Sequence, residues 1–285
     1  MMNIIRSVLI LALYCKVIKS DDTKTKKEWC PKAKCTSFGS CNPCTKEFLF
    51  IIAQARSGGT TIKNMINLLP GIRVSGEVGS FTIDKMMDLW KYVRSGPDDN
   101  LKRGRGAFEG PWGHHSYPEE YLSCPAQALI ESINPPENIE DNTIDHDDSS
   151  TIIGFKEISI HTTDQINFLY NHFPCSRFIF NIRGDKKELE ESQKKHFGRV
   201  DRQNDGLYKL YTKLKGDESQ GDSVYLMDLD KWSKGEGREF NDLAKWLGFE
   251  NCQYPFVLHD NRGLDNAMDL ADKIQLSSSC RRSSA

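Results

Sequence analysis

The chain alternates apolar runs with helical repeats. Residues 48–52 are an unbroken apolar stretch of strand length, which predicts a strand covered on both faces in a parallel sheet. It leads into Gln54-Ala55-Arg56-Ser57-Gly58-Gly59-Thr60-Thr61, after which Ile62, Met65, Ile66 and Leu69 recur at helical spacing until Pro70-Gly71 ends them. The alternation returns downstream, with strands predicted over 151–156, 177–182 and 223–227 and helices over 163–173, 185–197 and 238–247. Helices are also predicted over 81–93 and 119–133, separated by a glycine- and aromatic-rich loop over 104–118. Strands spaced by helices of this length predict an α/β fold: a central parallel sheet flanked by helices.

Composition narrows the class. The chain has 285 residues, 38% of them hydrophobic with 14 Phe and 5 Trp, enough for a sizeable core and against overall disorder. Its 38 basic and 40 acidic residues nearly cancel, so no global charge draws it to nucleic acid, and any polyanion site must be local. Residues 134–150 hold six acids and no Lys or Arg, but lack the glycine and oxygen spacing of a calcium loop and read as a solvated loop. There is no internal repeat.

The first twenty residues read as a signal peptide: Arg6, an apolar run over 8–14, Lys16, then the small Ser20 before Asp21. That run is too short for a membrane span, which needs about 20 apolar residues. The expected location is therefore the secretory pathway, Golgi lumen or secreted, with the segment either cleaved or retained as a short anchor. Without Cys15, eight cysteines remain, and four of them, Cys30, Cys35, Cys41 and Cys44, crowd into residues 21–46. In an oxidising compartment these predict a disulfide-stapled extension in preference to a metal site. The pairing of Cys124, Cys175, Cys252 and Cys280 is left open. The expected organisation is thus a signal segment over 1–20, the Cys-rich extension over 21–46, a catalytic domain over 47–260 and a tail over 261–285 that frays at Arg281-Arg282.

A strand, a glycine turn and a helix suit an anion, because backbone N–H groups at a helix start lack partners and sit at the positive end of the dipole. Gly58 and Gly59 allow close approach, Arg56 brings charge, and Ser57, Thr60 and Thr61 bring hydroxyls. No Lys stands where the phosphate loop of nucleoside triphosphatases and kinases needs one. The string Arg56-Ser57-Gly58-Gly59-Thr60-Thr61 instead resembles the sulfotransferase family, which uses 3′-phosphoadenosine 5′-phosphosulfate as donor. Gly59 stands where that family commonly has a hydroxyl residue.

The resemblance extends to a strand ending in Arg183 and a following helix with Ser192, the pair that in the family grips the donor's 3′-phosphate. The family spacing is eight residues. Here it is nine, with Glu191 in the usual slot, which implies one extra residue in the Gly184-Asp185 turn with Asp185 capping the helix. Ser75-Gly76-Glu77 resembles the segment that carries the catalytic glutamate of tyrosylprotein sulfotransferases, making Glu77 the first candidate for the base that removes the acceptor proton. His114 and His115 rank below it, by comparison with the His base of cytosolic members. Gly154-Phe155-Lys156-Glu157 resembles a recurrent family string in which Lys156 would stabilise charge on the transferring group. By comparison with the late basic loop of cytosolic members, Arg262-Gly263 would close over the nucleotide, and Trp112, His114, His115 and Tyr117 would line a site for a sugar or an aromatic acceptor.

The resemblance covers roughly residues 47–250 and implies sulfuryl transfer to a hydroxyl of a glycan or a tyrosine-containing protein, without metal, nucleic acid or membrane span. A second class stays open: a secreted nucleotide- or glycan-binding protein on the same scaffold that has lost turnover.

Overall fold

A computed structural model describes residues 30, 42–77, 80–95, 122–134, 152–200, 204–217, 220–234, 237–257 and 276–282. The predicted signal segment, most of the Cys-rich extension, His114, His115, Trp112, Tyr117, Arg262 and Gly263 lie outside them.

The apolar run becomes β1 (Glu47–Ala53), and every residue from Phe48 to Ala53 is buried. Its central place in the sheet explains this. Strands β2 (Ile72–Ser75), β3 (Ile152–Glu157), β4 (Ser176–Ile182) and β5 (Val224–Asp228) join it in one parallel sheet of order β2-β3-β1-β4-β5. Alternation along β1 sends Phe48, Phe50 and Ile52 to one face and Leu49 and Ile51 to the other. Helices α1 (Gly59–Ile66), α2 (Ser80–Ser95), α3 (Ser123–Ser132), α4 (Thr163–His172), α5 (Lys186–Phe197), α6 (Asn204–Lys215), α7 (Leu229–Trp232) and α8 (Arg238–Trp246) complete the described elements.

The first face packs Phe50 against Phe155, Phe173 and Phe178 beneath residues of α2, α3, α4 and α6. The second joins Leu49, Ile51, Ile179 and Met227 to α1, Trp232 of α7 and Phe240, Leu243 and Ala244 of α8. Each such fully buried side chain contributes roughly 1.5–3 kcal/mol. The α/β architecture is therefore as expected. Strand β2 and helix α6 were not anticipated: β2 has only four residues, half of them buried, whereas α6 carried a legible signal in Leu207, Leu210 and Leu214, all buried.

The strand order sets where the site falls. The chain leaves β1 toward β2 and leaves β4 toward β5, so the connections diverge above the carboxyl ends of two neighbouring strands. A crevice opens there, where parallel α/β sheets bind ligands.

At the termini, the extension carries a disulfide as expected, and one expectation changes. Cys30 is bonded to Cys175, the residue just before β4, so the extension is stapled to the sheet; Cys44 and Cys124 are also in disulfides. The C-terminal Arg281–Arg282 does not fray. It forms β7, antiparallel to β6 (Phe249–Glu250), fastened by the Cys252–Cys280 disulfide and by an ion pair from Arg282 to Glu47.

Candidate functional site

The turn after β1 is held from three directions. Gln54 donates its N–H to the Asn181 carbonyl at 3.0 Å and accepts the Arg183 N–H at 2.9 Å through Oε1, tying the ends of β1 and β4 together. Asn181 donates through Nδ2 to the Ser57 carbonyl and hydroxyl, each at 2.8 Å. Gln193 of α5 donates to the Ala55 carbonyl at 3.0 Å. These bonds impose a left-handed conformation on Arg56, φ 69°, which costs a non-glycine residue of the order of 1–2 kcal/mol.

The two glycines are required by close approach. Gly58 has φ 80°, and a Cβ there would lie 2.6 Å from the Trp232 ring; a Cβ on Gly59 would lie 2.8 Å from Ala53 Cβ and 2.8 Å from Lys156 Cε. Helix α1 begins at once, its first intrahelical bond running from Ile62 N to the Gly58 carbonyl at 3.2 Å. The N–H groups of Gly59, Thr60 and Thr61 precede that bond and have no intrahelical acceptor.

Around this turn a hollow of about 250 Å³ is lined by Arg56, Gly58, Gly59, Thr60, Thr61, Glu77, Lys156, Arg183 and Ser192, with Gln54, Ala55, Ile158, Phe197, Leu229 and Trp232. The segments expected to hold the two ends of the donor thus share one cavity. Ser57 is the exception among the expected turn contacts. It is fully buried, its hydroxyl donates to the Gln54 carbonyl at 2.7 Å and its N–H to the same carbonyl at 3.2 Å, so both donors are used within the turn.

Asp185 caps α5 by accepting the Glu188 N–H at 3.0 Å, and with this cap Ser192 reaches the hollow while Glu191 is exposed outside its lining. The cap on Asp185 is the one the sequence predicts. Arg183 is ion-paired with Glu188 and, at 3.6 Å, with Asp230. That second distance is too long for a hydrogen bond, and the buried Arg183 Nε has no hydrogen-bond acceptor. The 3.6 Å contact to Asp230 is from this Nε, whose charge is thus paired while its N–H is left open to a ligand oxygen.

Lys156 is 5% exposed at the end of β3, and its ammonium pairs with Oε1 of the half-exposed Glu77 beyond β2. A buried ammonium needs such a partner. Lys63 of α1 is close enough that its amine is pushed below its ordinary range, by burial first and by the Lys156 charge second.

Trp232, Leu229, Ile158 and Phe197 were not anticipated as lining residues. For Trp232 and Leu229 a signal existed, a tryptophan within five residues of the strand-ending Asp228. Phe197 reads from sequence as the end of α5, and its half-exposed ring at the hollow is a tertiary fact. Among the described residues no group of His, Cys, Asp or Glu is arranged to hold a metal, and no helix is long and apolar enough to cross a membrane.

No protein-family model and no curated protein matches the chain. Among solved structures it is similar to the sulfotransferase domain of the Synechococcus PCC 7002 olefin synthase, at 15% identity and TM-score 0.43 over 71% of this chain and 74% of that one. It is also similar to a sulfotransferase from Alicyclobacillus acidocaldarius, at 10% identity and TM-score 0.39 over 79% and 90%. A third similar structure is the sulfotransferase STF1 from Mycobacterium tuberculosis H37Rv, at 11% identity and TM-score 0.38 over 81% and 72%. These three neighbours are sulfotransferases, but likeness of this degree carries no argument about chemistry, which rests on the residues of the hollow.

Proposed function

We propose that the chain transfers a sulfuryl group from 3′-phosphoadenosine 5′-phosphosulfate to a hydroxyl of a glycan or protein acceptor in the secretory pathway. The observation that carries this reading is the convergence of the Arg56–Thr61 turn and the Arg183–Ser192 pair on one hollow. Three cations, three helix-start N–H groups and an Arg183 Nε without a hydrogen bond fit a ligand with anionic groups at two ends. The donor supplies the activated sulfuryl group. The α1 N–H groups and Thr60 hold its phosphosulfate end, and Arg183 and Ser192 hold its 3′-phosphate.

Ser192 Oγ accepts from Arg56 Nε at 3.3 Å, so its own proton stays available to a phosphate oxygen. Glu77 keeps Oε2 for the acceptor proton while Lys156 holds Oε1. The Lys156 ammonium, oriented by that contact, stands ready to stabilise negative charge as it develops on the sulfuryl or bridging oxygen.

The test is thermal. Saturating 3′-phosphoadenosine 5′-phosphate raises the melting midpoint, by about 2.7 kcal/mol of added stability at a hundredfold excess over Kd, and Arg183→Ala removes the shift. An unmoved midpoint sinks the proposal. A second reading, nucleotide binding without turnover, is favoured by the engagement of Glu77 with Lys156. Radiolabelled sulfate transfer to glycans and tyrosine peptides separates the two, since binding with no transfer to any acceptor selects the second.

A further inference from the structure

Arg56 carries the charge of the turn, and its guanidinium is engaged by a neighbouring helix. It reaches to α5, donating from Nε to Ser192 Oγ at 3.3 Å and from a terminal nitrogen to His196 Nε2 at 2.9 Å. Ser192 and His196 are one turn apart, at i and i+4 on a single helix face. The guanidinium thus spans that turn, fastened at both ends. An arginine is always a donor, so His196 Nε2 must present a lone pair, which places the imidazole proton on Nδ1.

We propose that His196 is a positioning residue of the donor site: it orients Arg56 toward the ligand and does not itself touch the reacting atoms. This rests on the functional reading above and deepens it. Two of the five N–H groups of Arg56 are used on α5, and three remain for anionic oxygens. Fixing the guanidinium removes the rotamer freedom that a long, half-exposed side chain would otherwise lose on ligand binding. The left-handed backbone at Arg56 fits this role, because a strained residue held from several sides is preorganised. His196 is exposed at the last turn of its helix, so its removal leaves the core intact.

Calorimetric titration of the full chain with 3′-phosphoadenosine 5′-phosphate tests the proposal. His196→Ala weakens binding about fivefold, the scale of one charge-assisted hydrogen bond at an exposed site, with an unchanged melting midpoint for the free protein. In turnover it raises the donor KM more than it lowers kcat. His196→Gln, whose amide oxygen also accepts, recovers affinity to within about twofold. In an Arg56→Ala background, His196→Ala adds nothing, because the group it orients is gone.

Wild-type binding with no change in His196→Ala overturns this proposal alone. So does a deficit that glutamine does not rescue, or one that persists without Arg56, which would make His196 a direct ligand contact. Absence of binding by the wild type overturns the functional reading along with it.

Discussion

Gly59 stands where the resemblance leads one to expect a hydroxyl residue, and its surroundings explain the substitution. Lys156 comes in from β3 and lays its aliphatic chain against this position, with Ala53 closing the other side. A side chain at residue 59 would compete with the path by which Lys156 reaches Glu77. Glycine here exchanges one hydroxyl contact for a lysine delivered from a neighbouring strand. Gly59→Ala or Gly59→Ser is therefore expected to destabilise the fold by roughly 1–3 kcal/mol through overpacking, and to weaken nucleotide binding. An unshifted thermal midpoint in both variants would show that Lys156 can move aside at no cost.

At the level of elements, α5 shows how the turn before it fixes which side chains face the hollow. Asp185 accepts the Glu188 N–H, and Asp230 accepts the Asp185 N–H, so the turn is held at both ends. The helix is thereby set so that Ser192, Gln193 and His196 meet the β1 turn while Glu191 does not. Asp185→Ala is expected to cost about 1 kcal/mol, the usual loss of an N-cap, and Asp185→Asn to recover most of it because the amide oxygen also caps. Urea denaturation of the two variants is the check; equal losses would mean that the carboxylate's charge, not its capping bond, is what matters. Helix α4 carries a reciprocal capping box between Thr162 and Gln165. Gln165 also donates to Asp84 of α2 at 3.0 Å, so the cap doubles as a contact between helices.

Across the whole molecule, both ends of the described chain close on the amino ends of the central strands, opposite the hollow. The Cys30–Cys175 and Cys252–Cys280 bonds span 145 and 28 residues, and chain-entropy arguments give them roughly 5 and 3.5 kcal/mol. The same end of the sheet holds Glu47, Arg177 and Arg282. Burial lowers Arg177 to about 10, with the Glu47 charge opposing that shift, and its guanidinium stacks 5.0 Å from the Trp246 ring. Burial also raises Glu47 above its ordinary range, outweighing the opposing attraction of Arg282. A carboxyl whose folded pKa is raised binds its proton more tightly in the native state, so stability falls as pH rises from the ordinary glutamate value through the folded one. Wild type should therefore lose stability relative to Glu47→Gln across that window, as measured by denaturation midpoints against pH. The opposite slope would show that the Arg282 pair dominates burial.

Local chemistry made much of this legible in one dimension. The buried strand at 48–52, the glycine turn, the helical repeats and the Asp185 cap are matters of sequence-neighbour spacing, and each is realised in the fold. Strand β2 was too short to stand out, and the fastened C-terminus depends on partners over two hundred residues away in Glu47. Ser57 looked like a ligand contact because a hydroxyl beside glycines suits an anion; only its three-dimensional neighbours Gln54 and Asn181 show that it is spent on the turn. The hand-over of Arg56 to His196, the path of Lys156 over Gly59 and the placement of Phe197 likewise arise between segments far apart in the chain. Periodicity and turn chemistry act through adjacent residues and are written in the sequence, whereas a site assembled above the ends of several strands depends on strand order, which emerges only when the sheet is packed.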